Sequence, residues 1–183
     1  MKNRNTWIVG LFVLGIALFA IVRFFVIPHR QAERQKYLTA QQEPATHDLG
    51  AVLKYKSKYM GNASNDANLF YNLPLSNTGM DFQLFPEKLA LEVNYKDTVW
   101  NVGEEKVKRS LLYNSTTAFA LIDNLQEIDY NFPGVSYLVK RTDIEALYPN
   151  FTDILQTDQW KTSVQMKMDD TRYVDETFRK VFQ

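Results

Sequence analysis

Residues 7–27 form one apolar run broken only by Arg23, and Pro28 closes it. As a helix, these 21 residues would span about 32 Å, the thickness of a bilayer's hydrocarbon core of roughly 30 Å. Lys2 and Arg4 precede the run, as they would in a signal peptide. A cleavage site, however, needs small residues one and three positions before the cut, and Ala20 has Leu18 two positions before it. The apolar stretch then continues through Phe24, Phe25, Val26 and Ile27, longer than most cleaved leaders. The expectation is a retained membrane anchor that contacts the lipid bilayer through residues 7–27. Trp7 marks an interface, and Arg23 lies about one turn from the end, where its stem reaches the headgroups. The flanks nearly balance for orientation, with Lys2 and Arg4 on one side and Arg23, Arg30, Arg34 and Lys36 on the other.

The overall charge hides a split. The chain has 21 basic and 21 acidic residues, but residues 1–36 hold six of the bases and only one acid, Glu33. The membrane-proximal end is therefore basic and the remainder mildly acidic. Nucleic-acid binding needs a concentrated basic surface on the folded part, so no nucleic-acid partner is expected. The absence of cysteine excludes disulfides, thiolate metal sites and a cysteine nucleophile. No cofactor or metal ligand set stands out. With 14% aromatic residues, the part beyond the anchor should fold, and its roughly 135 residues suit one domain.

The chain divides into a flank (1–6), a transmembrane helix (7–27), a helical stalk and linker (28–47) and a globular domain (48–183). Residues 29–42 are rich in helix formers without apolar periodicity, and Pro44 ends them. Residues 48–60 read equally as a short helix capped by Asp48 or as extended chain. The turn at 61–65 caps a helix running to about Asn72. Met80, Phe82 and Leu84 alternate with polar residues, as do Leu89, Leu91, Val93 and Tyr95, and residues 85–88 suit the loop between them. Residues 101–103 read as a turn, followed by a helix over 115–125 capped by Asn114 or Ser115. Residues 127–132 and 135–140 alternate again around Pro133-Gly134. Thr142 and Glu145 fit a capping box for a short helix to Tyr148, and residues 169–182 read as a last helix. The fold class expected is α+β: a transmembrane helix, then one domain with an antiparallel sheet of two hairpins and helices packed on one side.

Two stretches carry a resemblance. One is Leu53-Lys54-Tyr55-Lys56-Ser57-Lys58-Tyr59-Met60-Gly61-Asn62 followed by Asn68-Leu69-Phe70-Tyr71-Asn72-Leu73-Pro74-Leu75. The other is Ala118-Phe119-Ala120-Leu121-Ile122-Asp123-Asn124-Leu125-Gln126-Glu127-Ile128. Together they resemble an uncharacterised extracytoplasmic domain family of Gram-positive, Bacillus-type bacteria, carried behind a membrane or lipid anchor. The resemblance covers about residues 49–141. It implies an outward-facing domain and no particular chemistry.

Lys54, Lys56 and Lys58, interleaved with Tyr55 and Tyr59, are the one basic-aromatic cluster of the domain. They form a candidate surface for an anionic polymer, anionic headgroups or an acidic envelope protein. The alternative is a solvated face with both tyrosines packed inward. Asn62, Ser64, Asp66 and Asn68 alternate like the start of a calcium loop, but Ala67 and Leu73 stand where glycine and a bidentate glutamate are required. Turn and cap chemistry is the simpler reading. Asp123-Asn124 could end a helix or line a pocket, a C-terminal turn using Asn124 being the simpler account. His29 falls at the membrane edge and His47 at the linker–domain junction, neither placed for a Ser/His/Asp triad. Glu104-Glu105 and Asp169-Asp170 are adjacent pairs whose side chains diverge.

No catalytic residue is expected. The function read from the residues is a single-pass membrane protein whose domain binds or regulates a partner at the cell envelope. The alternatives are an envelope hydrolase with a carboxylate-only site and a structural subunit of a membrane complex.

Overall fold

The computed structural model describes residues 2–183 and the side chains from Trp7 onward. Met1, in the expected flank, lies outside the described residues. The chain divides into two compact units, one ending at Ala40 and the other Gln41–Gln183.

The first unit is helical throughout. Helix α1 (Lys2–Ile21) passes through a π turn (Val22–Val26) into α2 (Ile27–Ala40). The π turn has a local cause. Pro28 has no N–H to return to the carbonyl of Phe24, and the wider turn just before it absorbs the break, with the N–H of Ile27 donating to the carbonyl of Val22. Among the described residues this is the one helix long and apolar enough to cross a membrane, and its apolar stretch is unburied.

In the second unit, strands β1 (Met80–Phe85), β2 (Ala90–Tyr95), β3 (Glu127–Phe132) and β4 (Val135–Lys140) form one sheet in sequence order. The alternation that identified two hairpins is seen as β1·β2 and β3·β4, both antiparallel, with Phe85 facing Ala90 and Phe132 facing Val135. Gly134 takes φ 91° in the two-residue turn after Pro133, which a side chain at that position would resist. The hairpins meet through a parallel pair, Leu91 opposite Ile128 and Val93 opposite Tyr130. A parallel neighbour requires a crossover, and helices α4 (Val99–Val102) and α5 (Glu104–Leu121) supply it. Expected as a plain turn, residues 101–103 are instead the end of α4 and Gly103, whose φ of 99° redirects the chain into α5.

Helix α5 begins eleven residues before the expected Ser115, at Glu104. Asn114 and Ser115 are not caps; they lie buried in its middle. Such residues favour caps because their side chains compete for backbone groups, and here the competition is settled inside the helix. Ser115, Thr116 and Thr117 donate to the carbonyls of Leu111, Leu112 and Tyr113 four residues back, at 2.7, 2.9 and 2.8 Å. Ser115 Oγ also lies 3.1 Å from the Tyr130 hydroxyl, tying α5 to the sheet. Asn114 Nδ2 donates to the carbonyl of Pro74 at 2.8 Å.

One sheet face is apolar. Leu91, Val93, Tyr95, Ile128, Tyr130, Phe132 and Val139 are buried with Leu111, Leu112, Phe119 and Leu121 of α5, while Glu92, Asn94, Asp129 and Asn131 alternate on the other face. Tyr95 stacks on Phe132 with ring centroids 4.5 Å apart. The remaining helices pack on the α5 side: α3 (Ala63–Tyr71), α6 (Arg141–Glu145), α7 (Thr157–Ser163) and α8 (Thr171–Val181). Every core residue comes from position 52 onward, so the domain's core is complete within the second unit.

The chain end shields the free edge of β4, with Leu138 and Gln183 exchanging backbone hydrogen bonds at 3.1 and 3.0 Å. The Thr142 capping box is absent: α6 starts from Lys140 without a side-chain cap, and Glu145 pairs with Arg141 instead.

Candidate functional site

The Lys-Tyr segment is neither helix nor strand. Residues 49–51 and 53–55 form two 3-10 turns, the first capped by Asp48, whose Oδ1 accepts from the N–H of Gly50 at 2.9 Å. The chain then straightens for one residue. Ser57 bridges in parallel to Ile122, its N–H donating to the carbonyl of Leu121 at 2.8 Å and its carbonyl accepting from Asp123 N–H at 3.0 Å. Asn124 does not serve as a helix cap: α5 ends at Leu121, and Asn124 Oδ1 accepts from the N–H of Met60 at 2.5 Å. The two stretches singled out in the sequence are thus joined side by side, the first ending its run against the second.

Lys54, Lys56 and Lys58 are all exposed. The tyrosines part ways. Tyr55 is half-buried against the core, its hydroxyl accepting from Asn72 Nδ2 at 3.0 Å, with Lys54 Nζ 5.0 Å from its ring centroid. Tyr59 is 71% exposed, so it does not pack inward. The following loop is turn and cap chemistry: Asn62 Oδ1 accepts from Asn65 N–H at 3.2 Å, capping α3. Asp66 is buried with Oδ2 accepting from Gly61 N–H at 3.1 Å; burial pushes its carboxyl above the usual range, and the Gly61 N–H holds it back in part.

Beside the bridge lies a cleft of about 350 Å³, lined by Lys56, Phe119, Ala120, Asp123, Arg141, Glu145, Phe151, Thr152 and Leu155. Arg141 organises its wall. Its Nε donates to the carbonyl of Leu125 at 2.6 Å, Nη2 to that of Ile122 at 2.5 Å and Nη1 to Glu145 Oε1 at 3.0 Å. Its guanidinium carbon stands 5.2 Å from the Phe119 ring centroid. Nothing local in the sequence marks this residue, because its partners lie up to 19 positions away.

A second cavity of about 280 Å³ is lined by His47, Asp48, Leu49, Gly50, Leu53, Leu155, Thr157, Trp160, Lys161 and Gln165. His47, expected at a peripheral junction, is buried. Its Nε2 lies 2.7 Å from the carbonyl of Asn72 and its Nδ1 2.9 Å from the Tyr113 hydroxyl. A carbonyl only accepts, so Nε2 carries the proton and Nδ1 accepts from Tyr113. Burial pushes the His47 pKa down against the pull of the Asn72 carbonyl and Asp48. Gln165 Nε2 donates to the carbonyl of His47 at 2.7 Å, holding the segment in place.

The other sequence candidates line neither cavity, and Glu104 and Glu105, expected to diverge, converge on one ammonium. Trp7 is 75% exposed on α1, Arg23 is exposed in the π turn, and His29 is exposed on α2. Glu104 and Glu105 both reach Lys108, at 2.8 and 3.6 Å, and Lys108 also meets Asp175 of α8 at 2.8 Å. That ammonium holds the Asp175 carboxyl below its usual range. Asp170 caps α8, accepting from Arg172 and Tyr173 N–H at 3.0 and 3.1 Å, while Asp169 is exposed. Among the described residues no group of three or more His, Asp and Glu is placed to hold a metal.

Compared with curated proteins and with solved structures, the chain finds no match in either set. A family model does match, over residues 52–143, and that span runs from the Lys-Tyr segment through α3, α5 and both hairpins to Arg141. It takes in half of the chain, and the protein therefore belongs to the family described as Domain of unknown function (DUF4825).

Proposed function

We propose that this chain is a single-pass membrane protein whose α+β domain acts as a binding or regulatory module on the outer side of the cell membrane. The observation that carries the reading is the first unit: a helix whose apolar side chains all face outward, with Ile8, Leu11, Phe12, Phe19 and Phe24 each more than half exposed. Water does not tolerate so long an apolar surface, and a bilayer accommodates it. Outward placement is supported by the resemblance of residues 49–141 to domains carried behind anchors. The binding surface in this reading is the row of Lys54, Lys56 and Lys58 beside exposed Tyr59, facing an anionic envelope polymer or an acidic envelope protein. Lysine ammoniums act there as mobile point charges, so the attraction falls as salt rises.

A surface protease applied to intact cells tests the placement. Cleavage of the domain without lysis is the expected result, and protection until the cells are opened would overturn it. The surface is tested by changing Lys54, Lys56 and Lys58 together to Ala in the full chain and measuring pull-down by a soluble polyphosphate. Binding is expected to drop about tenfold or more, and unchanged binding would remove these lysines from the site.

A further inference from the structure

The cleft beside the Ser57–Ile122 bridge holds opposite charges that do not neutralise each other. Of its two cations, Arg141 is already engaged, giving one bond from each guanidinium nitrogen to two carbonyls and to Glu145. Of its two carboxylates, Glu145 is committed in the same pair. That leaves Lys56 and Asp123, both exposed and both without an ion-pair partner among the described residues, though they line the same cavity. They flank the bridge on opposite chains, Lys56 one residue before Ser57 and Asp123 one residue after Ile122. The backbone bonds of that bridge fix the two chains relative to each other. The same cleft is lined by half-buried Phe151 and Leu155 and by exposed Thr152, while Phe119 lies beneath the Arg141 guanidinium.

We infer that this cleft binds a zwitterionic ligand with an apolar side chain, a short peptide or a free amino acid, through Lys56 and Asp123. The ligand's carboxylate meets the Lys56 ammonium, its amino group meets the Asp123 carboxylate, and its side chain covers Phe151 and Leu155. A volume of about 350 Å³ lies at the small end of ligand pockets, roughly 300–1,000 Å³, which suits a dipeptide or smaller. Charge complementarity at both ends supplies selectivity, because a ligand lacking either charge leaves one protein charge without a partner. The inference rests on the binding-module reading and names the ligand class of one part of that surface.

The test uses the full chain in lipid nanodiscs and measures binding of Leu-Leu by titration calorimetry and saturation-transfer NMR, with free leucine as the second arm. Leu-Leu is expected to bind, and blocking its amine by acetylation or its carboxylate by amidation is expected to weaken binding about tenfold each. Lys56→Ala should erase the preference for a free carboxylate, and Asp123→Asn the preference for a free amine, with the thermal midpoint unchanged because both side chains are exposed. Stronger binding of free leucine would assign the cleft to the amino acid rather than the peptide. Equal binding of capped and uncapped dipeptide, no binding at all, or binding indifferent to both substitutions would each overturn the inference. If Leu-Leu fails while polyphosphate binding is still lost on changing the three lysines, the cleft falls and the lysine surface stands.

Discussion

Arg141→Ala is expected to destabilise the domain by about 2–3 kcal/mol, the range for losing hydrogen bonds made by a charged group; its partner Glu145 is 41% exposed, so the ion pair itself adds little. The residue ties together three parts of the fold. Its Nη2 and Nε bond the carbonyls of Ile122 and Leu125, just past the C-terminus of α5, where orphan carbonyls need donors. Its Nη1 holds Glu145 of α6, and its plane covers Phe119. Alanine removes all of these; the Ile122 carbonyl keeps only the 3.3 Å bond from Leu125 N–H, and the Leu125 carbonyl loses its guanidinium donor. Lysine should rescue little, since a single ammonium cannot copy the planar fork. Denaturant unfolding of the full chain in detergent, followed by circular dichroism, reads the change. A loss below about 1 kcal/mol would show that solvent already satisfies those carbonyls.

His47 is expected to make the domain acid-sensitive in a window no exposed group would produce. Its proton on Nε2 serves the Asn72 carbonyl, and its bare Nδ1 accepts from Tyr113. A second proton turns Nδ1 into a donor, so the Tyr113 hydroxyl must rotate to accept from it and its own O–H loses this partner. Burial opposes the charged form as well, and the folded pKa lies below the ordinary 6.5. The unfolded chain therefore takes the proton first. Stability is fully present above about pH 6.5 and declines as pH falls, by at most about 1.4 kcal/mol per unit, until the folded pKa is reached. His47→Gln should cost about 1–2 kcal/mol at pH 7.5 through lost hydrogen bonds and flatten the slope just below pH 6.5. The charged neighbours are Asp48, which favours the imidazolium, and Lys161 across the same cavity. Asp175, lowered by Lys108, titrates below this window, so the difference between the two proteins isolates the histidine. An identical slope in both would mean that His47 keeps its ordinary pKa when folded.

The strands were legible because their signal is local. Tyr130 and Phe132, or Leu91 and Val93, point the same way whatever they pair with, and Pro133-Gly134 and residues 85–88 mark the turns between them. The parallel seam between β2 and β3 was not legible, because the alternation of a strand says nothing about its neighbour's direction. That direction was set by the crossover through α5, whose first half was hidden. Asn114 to Thr117 look like a cap, and only the buried back-bonds to residues 111–113 show why the helix runs through them. The burial of His47 was not legible for a related reason: it depends on Asn72, Tyr113 and Gln165, which lie 25 to 118 positions away. The Lys-Tyr row was visible as a cluster, but its partner wall was not. The cleft is assembled from residues near 56, 120, 141 and 152, and no motif spans such separations.

The proposed membrane anchor carries the functional reading, and alkaline carbonate extraction tests it most directly. Membranes from cells producing the full chain, and cells producing residues 41–183 alone, would be extracted and probed for the domain, with the N-terminal residue of the full-length product determined in parallel. The full chain is expected to stay in the membrane pellet with residues 7–27 intact, while the 41–183 form, whose core is self-contained, is found folded in the soluble fraction. Release of the full chain by carbonate, or a mature protein that begins after residue 27, would contradict the account.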